Sequence, residues 1–223
     1  MIHNYNVQLM KWSPQSSHKK LHKNHAKNQI IRYEKLLRSG RGLCLPKIDD
    51  GRKHAAVFVL FLEEYEKLRL LFIRRSLNAN KHSGEWAFPG GAREAEDQNF
   101  LETAYRETHE ELGILKPEIQ YWGPLEPVVT LGSGYTVWPF TGLLHHKPKL
   151  IPSPLEVSEV SFIPIDVFNQ KEKYRDITIQ RGKDLQSTVA FTHKGKVIWG
   201  ATARILNQIF KVDNPFVHWS KEV

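Results

Sequence analysis

The feature that most constrains the fold is a pair of apolar runs in the first third of the chain. Residues 55–62 read AAVFVLFL and residues 68–73 read LRLLFI. Each run is nearly continuous rather than alternating with polar residues, and this pattern predicts strands that are buried on both faces. The polar stretch EEYEK between them is short enough to join the two strands as a hairpin. The two runs therefore predict the centre of a sheet.

The rest of the chain predicts more strands than helices. Further strand-like stretches lie at residues 86–88, 121–124, 128–131, 135–144, 157–163 and 197–200. Helical spacing of apolar residues, or a helical composition, is found at residues 28–38, 99–112, 164–168 and 201–210. Because the helices are few and well separated, the sequence predicts an α/β fold with a mixed sheet sandwiched between helices, and not a regular βαβ repeat.

Length and charge divide the chain into an arm and one domain. A chain of 223 residues is expected to hold one domain of ordinary size. Residues 1–54 contain 12 Lys and Arg against three acids, so this segment carries +9 while the whole chain carries +8. We therefore predict a basic N-terminal arm with a short helix at residues 1–54 and one domain at residues 55–223. A basic arm allows contact with nucleic acid, although we do not expect nucleic acid to be the partner.

Composition excludes several other classes of protein. The single cysteine, Cys44, rules out an internal disulfide and a cysteine-rich zinc site, and it favours a reducing, cytoplasmic setting. No apolar run reaches 18 residues, so we expect no membrane partner. The first residues lack acids, as mitochondrial transit peptides do, but such peptides favour Arg over Lys, which leaves a mitochondrial location as the alternative. The sequence does not define an oligomeric state.

The predicted helix at residues 99–112 carries three carboxylates on one flank. On a helical wheel Glu107 and Glu111 lie about 40° apart, and Glu110 lies beside them. Arg106 is predicted to point about 100° or more away from Glu107 and Glu111, so we do not expect it to neutralise them. A different stripe of the helix is expected to be buried, and it consists of Leu101, Tyr105, Thr108 and Leu112.

Crowded carboxylates have two interpretations. A solvated acidic face is common on helices, whereas a divalent cation would neutralise the repulsion between neighbouring carboxylates. Mg²⁺ and Mn²⁺ prefer oxygen ligands of this kind. The surroundings favour the cation, because the segment FPGG at residues 88–91 precedes the helix and Gly113 is placed to end it. Gly90 and Gly91 would permit close approach of a phosphate chain to the backbone.

This segment resembles the box of the Nudix hydrolase family, G-x5-E-x7-R-E-U-x-E-E-x-G-U, in which U is a bulky aliphatic residue. The chain has Gly91, then Asp97 after five residues, then RETHEELGI from Arg106 after eight more. Asp97 stands in place of the first Glu, one extra residue precedes Arg106, and Thr108 replaces the aliphatic residue.

A narrower resemblance points to the coenzyme A diphosphatase branch of that family. Members of the branch show an Arg-Ser pair, then a His and a Gly, before FPGG, and they carry the same Asp and lengthened box. The corresponding residues here are Arg75, Ser76, His82 and Gly84. The stretches SGYTVWPF at residues 133–140, EVSEV at 156–160 and IWGATA at 198–203 also look like this branch. Asn80 stands where members often carry an Arg.

The resemblance implies a Nudix fold for residues 55–223 and a metal-dependent diphosphatase activity. The substrate would be a small nucleotide, coenzyme A or one of its derivatives, and the products of coenzyme A would be adenosine 3′,5′-bisphosphate and phosphopantetheine. The implied cofactor is Mg²⁺ or Mn²⁺, held by Glu107 and Glu111, with Glu110 as the third ligand or as the residue that orients water. Arg106 would brace the loop through Asp97. A carboxylate outside the box, which is either Glu156 or Glu159, would assist.

Substrate contacts are expected from residues before the helix. Gly90 and Gly91 would face the phosphate chain, and Arg75 with His82 would bind the ribose phosphate of coenzyme A. We expect Phe140 and Trp199 to belong to the core and not to stack on a ligand. Two alternatives stay open: a Nudix hydrolase for ADP-ribose, a dinucleotide or capped RNA, and a catalytically silent binding protein with this fold.

Overall fold

The computed structural model describes residues 15–38, 51–77, 83–130, 134–181 and 184–210. It also describes the side chains of these residues, except at 15–25, 181, 184, 186 and 187. Cys44, Asn80, His82 and Ser133 therefore lie outside the described residues. Within the described part the helices are α1 (Gln15–Arg38), α2 (Phe100–Leu112) and α3 (Gly200–Phe210). The strands are β1 (Lys53–Glu64), β2 (Lys67–Arg75), β3 (Trp86–Ala87), β4 (Gly90–Ala92), β5 (Ile119–Pro124), β6 (Val128–Val129), β7 (Tyr135–Leu144), β8 (Val157–Pro164), β9 (Tyr174–Arg181), β10 (Asp184–His193) and β11 (Lys196–Trp199).

The main sheet is mixed. Its central order is β3-β2-β1-β7-β5, while β4 pairs with β1, β6 with β7 and β8 with β2. β1 and β7 run parallel, and the other pairs of this sheet are antiparallel. A second, antiparallel sheet has the order β11-β10-β9.

Strand β1 has apolar neighbours on both faces, which explains its continuous apolar sequence. Phe58 and Leu60 belong to the core cluster beneath α2, whereas Val59 and Phe61 belong to the cluster that also contains residues of α1, α3 and the second sheet. The main sheet therefore lies between α2 on one face and α1, α3 and the second sheet on the other. The predicted α/β architecture, a mixed sheet sandwiched between helices, is confirmed.

The helix of the predicted basic arm begins earlier than expected and packs on the domain. α1 starts at Gln15, whereas the apolar spacing predicted a start near residue 28. Ala26, Tyr33 and Leu37 are buried, and the Tyr33 ring lies 5.7 Å from the ring of Phe61 and 5.8 Å from that of Phe210. This part of the segment is therefore anchored to the core, although its exposed face is basic.

Several elements differ from the sequence-based expectations. β4, β9 and β10 were not predicted, because a Gly-Gly segment and the polar sequences YRDITIQR and DLQSTVAFTH lack a run of apolar residues. Residues 164–168 were predicted as a helix, and the structure has a short 3₁₀ turn at Ile165–Asn169. No helix in the described segments is long and apolar enough to cross a membrane.

Candidate active site

Helix α2 is fixed at both ends by its own sequence. At the start, the Asn99 side chain accepts a hydrogen bond from the backbone N–H of Glu102 at 3.0 Å. At the end, Gly113 takes the left-handed conformation with φ of 72°, and its N–H donates to the carbonyl of His109. Both ends agree with the predicted helix of residues 99–112, so the register of the carboxylates on α2 is well defined.

The buried face of α2 includes a carboxylate, which the wheel did not predict. Thr108 and Leu112 are buried as expected, but Leu101 and Tyr105 are only half-buried. The buried positions of the helix are Phe100, Thr103, Ala104, Thr108, Glu111 and Leu112. Glu111 therefore points toward the sheet and not into solvent.

Glu111 lies at the centre of the site. Its side chain is 2% exposed, its Oε2 accepts a hydrogen bond from the Gly90 N–H at 2.8 Å, and its Oε1 lies 3.6 Å from Nη1 of Arg75. Burial raises the pKa of the Glu111 carboxyl to about 8, against the opposing effects of the Gly90 N–H and the Arg75 charge. The strand-to-helix geometry thus holds a carboxyl group that is costly to ionise without a cation.

Glu107 lies one helical turn away and packs against the next glycine. A Cβ atom at Gly91 would overlap the Glu107 carboxylate, so a larger residue here would have to displace that carboxylate. Burial raises the pKa of Glu107 to about 7, and the nearby charge of Arg106 counteracts part of that rise. Gly90 and Gly91 therefore bring the backbone of β4 directly to the two carboxylates.

Arg106 contacts one of the two carboxylates that it was predicted to avoid. Its Nη1 lies 3.0 Å from Oε1 of Glu107 and 3.0 Å from Oε2 of Glu110, so the sequence-based exclusion was wrong for Glu107. A helical wheel gives the direction of each Cβ, whereas the guanidinium of a long side chain reaches adjacent positions and those one turn on. The side chain of Glu110 is 49% exposed, and among the described residues it forms an ion pair with Arg106.

Arg106 also braces the loop before the helix. Its Nε and Nη2 donate to the two carboxylate oxygens of Asp97 at 3.0 and 3.1 Å, and Nη2 donates to the carbonyl of Ala92 at 2.9 Å. These hydrogen bonds lower the pKa of Asp97 to about 2, and Asp97 is buried. Asp97 accordingly occupies the position of the missing first Glu as the partner of Arg106.

Of the two candidates outside the box, Glu156 is the one beside the buried carboxylates. Its charge raises the pKa of both Glu107 and Glu111, and its backbone carbonyl accepts a hydrogen bond from Ser76 at 2.8 Å. Glu159 instead binds Nζ of Lys196 at 2.8 Å and is 46% exposed. The sequence could not distinguish Glu156 from Glu159, because their positions depend on the pairing of β8 with β2.

The carboxylates fit a divalent cation by their chemistry. Across the segments that the structure describes, no three His, Cys, Asp or Glu side chains are already gathered as a metal site. Glu107, Glu111 and Glu156 nevertheless interact electrostatically, and all supply the hard oxygen ligands that Mg²⁺ and Mn²⁺ prefer. A cation would favour the ionised forms of Glu107 and Glu111, whose pKa values are raised by burial and further by the neighbouring carboxylates.

A cavity of about 300 Å³ lies on the other side of the two glycines. Its walls come from β1, β2, β4, β7, β11 and the start of α3, and they include Arg75, Gly90, Gly91, Tyr135, Trp199 and Thr202. Phe140 belongs to the core as predicted, but Trp199 is only half-buried and lines the cavity. In the sequence, Trp199 belongs to IWGATA, one of the stretches that look like the coenzyme A diphosphatase branch.

The structure thus brings together most of the residues selected from the sequence. Arg75, Gly90, Gly91, Glu107 and Glu111 converge, Glu110 lies at the exposed edge on Arg106, and His82 lies outside the described residues. A wider depression of about 590 Å³ lies beyond Arg106, but neither Glu107 nor Glu111 lines it.

Comparison with known proteins agrees with this geometry. The NUDIX domain family matches residues 52–181. The chain is 32% identical over 163 residues to the uncharacterized Nudix hydrolase NudL of Photorhabdus laumondii, which covers 73% of this chain and 86% of the relative. It is 34% identical over 140 residues to the protein of the same name from Pectobacterium atrosepticum, covering 63% of this chain and 72% of that one.

A solved structure supports the same fold. The crystal structure of a MutT/nudix family protein from Enterococcus faecalis aligns with a TM-score of 0.50 and 16% identity, over 90% of this chain and 74% of that one. At that identity the likeness bears on the fold alone. Together with the family match over more than half of the sequence, these findings show that the chain belongs to the Nudix hydrolase family.

Proposed function

We propose that this Nudix hydrolase cleaves the diphosphate linkage of coenzyme A or its derivatives. The observation that carries the proposal is the convergence of Glu107, Glu111 and Arg75 at Gly90 and Gly91, which also line the cavity. A diphosphate repels an attacking hydroxide, so hydrolysis requires neutralisation of the phosphate oxygens and activation of a water molecule. The site combines carboxylates for a cation with an arginine for the phosphate.

The chain's own residues have distinct tasks in this proposal. Glu107 and Glu111 would hold Mg²⁺ or Mn²⁺, which supplies the Lewis acid that neutralises phosphate oxygens and acidifies water. Glu110 stays the predicted third ligand, and taking that role requires it to leave Arg106. Glu156 is the candidate for the assisting carboxylate because its charge reaches both buried acids.

The position of Arg75 changes its expected role. From the sequence it was expected to bind the ribose 3′-phosphate of coenzyme A, yet its guanidinium lies beside Glu111. This position favours contact with the scissile diphosphate, where a charge-assisted contact typically contributes about 1.5 to 3 kcal/mol. The choice of coenzyme A therefore rests on the resemblance around Arg75, Ser76 and the lengthened box.

The cavity supplies room for part of a nucleotide. Its volume of about 300 Å³ and its aromatic residues Tyr135 and Trp199 suit a base or another flat group attached to the diphosphate. This pocket would serve ADP-ribose as well as coenzyme A. For that reason the substrate must be identified by turnover.

The test is a panel of diphosphate compounds with Mg²⁺ and with Mn²⁺. Coenzyme A, dephospho-coenzyme A, ADP-ribose, a dinucleotide and capped RNA would be compared by kcat/KM, with products identified by mass spectrometry. We expect coenzyme A to give the highest value and to yield adenosine 3′,5′-bisphosphate and phosphopantetheine. Equal or better turnover of ADP-ribose would refute the coenzyme A assignment, and no turnover of any compound would favour a silent binding protein.

A further inference from the structure

Arg75 faces the site because side chains alternate along β2, and Leu71 and Ile73 on the same face belong to the core cluster beneath α2. The register between β2 and β8 shifts between Arg74 and Arg75, so that Arg74 pairs with Glu159 while Arg75 pairs with Val157. Ser158 at this bulge donates its hydroxyl to the carbonyl of Arg74 at 3.1 Å. Arg74, on the opposite face of β2, is exposed, whereas the Arg75 side chain is 30% exposed and faces Glu111.

The backbone around Arg75 is held on both sides. Its N–H donates to the carbonyl of Glu85 at 3.0 Å, and its own carbonyl accepts from the N–H of Gly84 at 3.0 Å. The guanidinium therefore reaches both the Oε1 atom of Glu111, at 3.6 Å, and the cavity that Arg75 lines. The other oxygen of Glu111 is already bound by Gly90.

We propose that Arg75 is an internal counter-ion that competes with the metal ion for Glu111. This inference rests on the proposed function, since it takes Glu111 as a metal ligand. A divalent cation at Glu111 would lie within a few ångströms of the guanidinium. Bulk water screens the two positive charges only weakly there, so the repulsion between them is strong. A substrate diphosphate would draw Arg75 away from Glu111, so substrate binding would relieve the repulsion.

The charge of the metal decides the direction of the effect. Arg75 repels a divalent cation about twice as strongly as it repels a proton at the same carboxylate. Removing the guanidinium should therefore favour the metal over the proton at Glu111, even where the carboxyl group is protonated.

The test measures Mn²⁺ binding without substrate, by electron paramagnetic resonance of free Mn²⁺ at pH 8. Arg75→Gln removes the charge, and we expect it to bind Mn²⁺ about tenfold or more tightly than the parent. Arg75→Lys keeps the charge and should stay within about threefold of the parent. Arg74→Gln is the matched control, since it removes the same charge one residue away, and its affinity should equal that of the parent.

Each outcome separates the inference from the function beneath it. Equal or weaker binding by Arg75→Gln, with clear binding by the parent, overturns the counter-ion role and leaves the proposed metal site intact. Tightening of the same size in Arg74→Gln also overturns it, because the effect would then reflect net charge. Absence of Mn²⁺ binding in the parent and in every variant contradicts the proposed function and the inference together.

Discussion

Replacement of Arg106 by Ala should destabilise the protein even where no substrate or metal is present. The guanidinium binds both oxygens of Asp97, whose side chain is 5% exposed, and it also donates to the carbonyl of Ala92. Without Arg106, a buried carboxylate loses its cation and a carbonyl loses its donor. Breaking one side of such a pair is costly because the remaining charge stays in a poorly solvated place.

The magnitude follows from the pKa of Asp97. The folded protein lowers this pKa from 3.8 to about 2, with the hydrogen bonds from Arg106 as the largest cause. At about 1.4 kcal/mol for each unit, the shift corresponds to roughly 2 to 3 kcal/mol at neutral pH. Loss of the hydrogen bond to Ala92 adds about 1 kcal/mol. We expect Arg106→Ala to lower the free energy of unfolding by about 3 to 4 kcal/mol.

Urea unfolding in EDTA, followed by tryptophan fluorescence at pH 7, measures this loss. Because the pKa of Asp97 is lowered on folding, its contribution is present above pH 4 and disappears as the pH falls toward 2, so the difference between parent and variant should shrink there. The double variant Arg106→Ala/Asp97→Asn should lose less than the sum of the single variants. An Arg106→Ala protein that unfolds at the parent's urea concentration but is inactive would refute the bracing role and assign Arg106 to the substrate.

Three further predictions concern the same helix and the glycine beside it. Thr108 is fully buried, and its hydroxyl has no hydrogen-bond partner among the described residues. Thr108→Val should therefore raise the free energy of unfolding by about 1 kcal/mol. An unchanged or lower urea midpoint would mean that the hydroxyl does have a hydrogen-bond partner. Because the pKa values of Glu107 and Glu111 are raised on folding, the folded protein binds more protons than the unfolded chain between about pH 5 and 8. In EDTA the melting temperature of the parent should therefore fall as the pH rises across that range, and that of Glu111→Gln should fall less steeply. Gly91→Ala should lower turnover because the added methyl group overlaps the Glu107 carboxylate, and parent-like kcat/KM would show that this carboxylate is free to move.

The centre of the fold was predictable because burial on two faces leaves a direct mark on the sequence. The apolar runs of β1 and β2 and the ends of α2 at Asn99 and Gly113 were all expected. The second sheet was not, since β9 and β10 carry polar residues throughout much of their length. Polar strands of this kind do not differ in pattern from loops.

The site was predictable in its residue types but not in its contacts. The spacing on α2 identified the carboxylates, yet the burial of Glu111 depends on how the helix packs on the sheet. The choice between Glu156 and Glu159 depends on strand pairing, and the contact of Arg75 with Glu111 depends on how α2 packs on the sheet. These are tertiary features, which residue spacing along one element does not encode.

The central claim is that Glu111 belongs to the metal-dependent hydrolytic site, and the turnover of Glu111→Gln tests it most directly. Glutamine keeps the size and helix propensity of the side chain but removes its charge, so the fold should be retained. With Mg²⁺ or Mn²⁺ and the best substrate of the panel, we expect kcat to fall by about 10² or more. Glu159→Gln is the matched control and should keep the parent rate, since Glu159 is exposed and binds Lys196. A Glu111→Gln protein that hydrolyses the substrate at the parent rate would contradict the account.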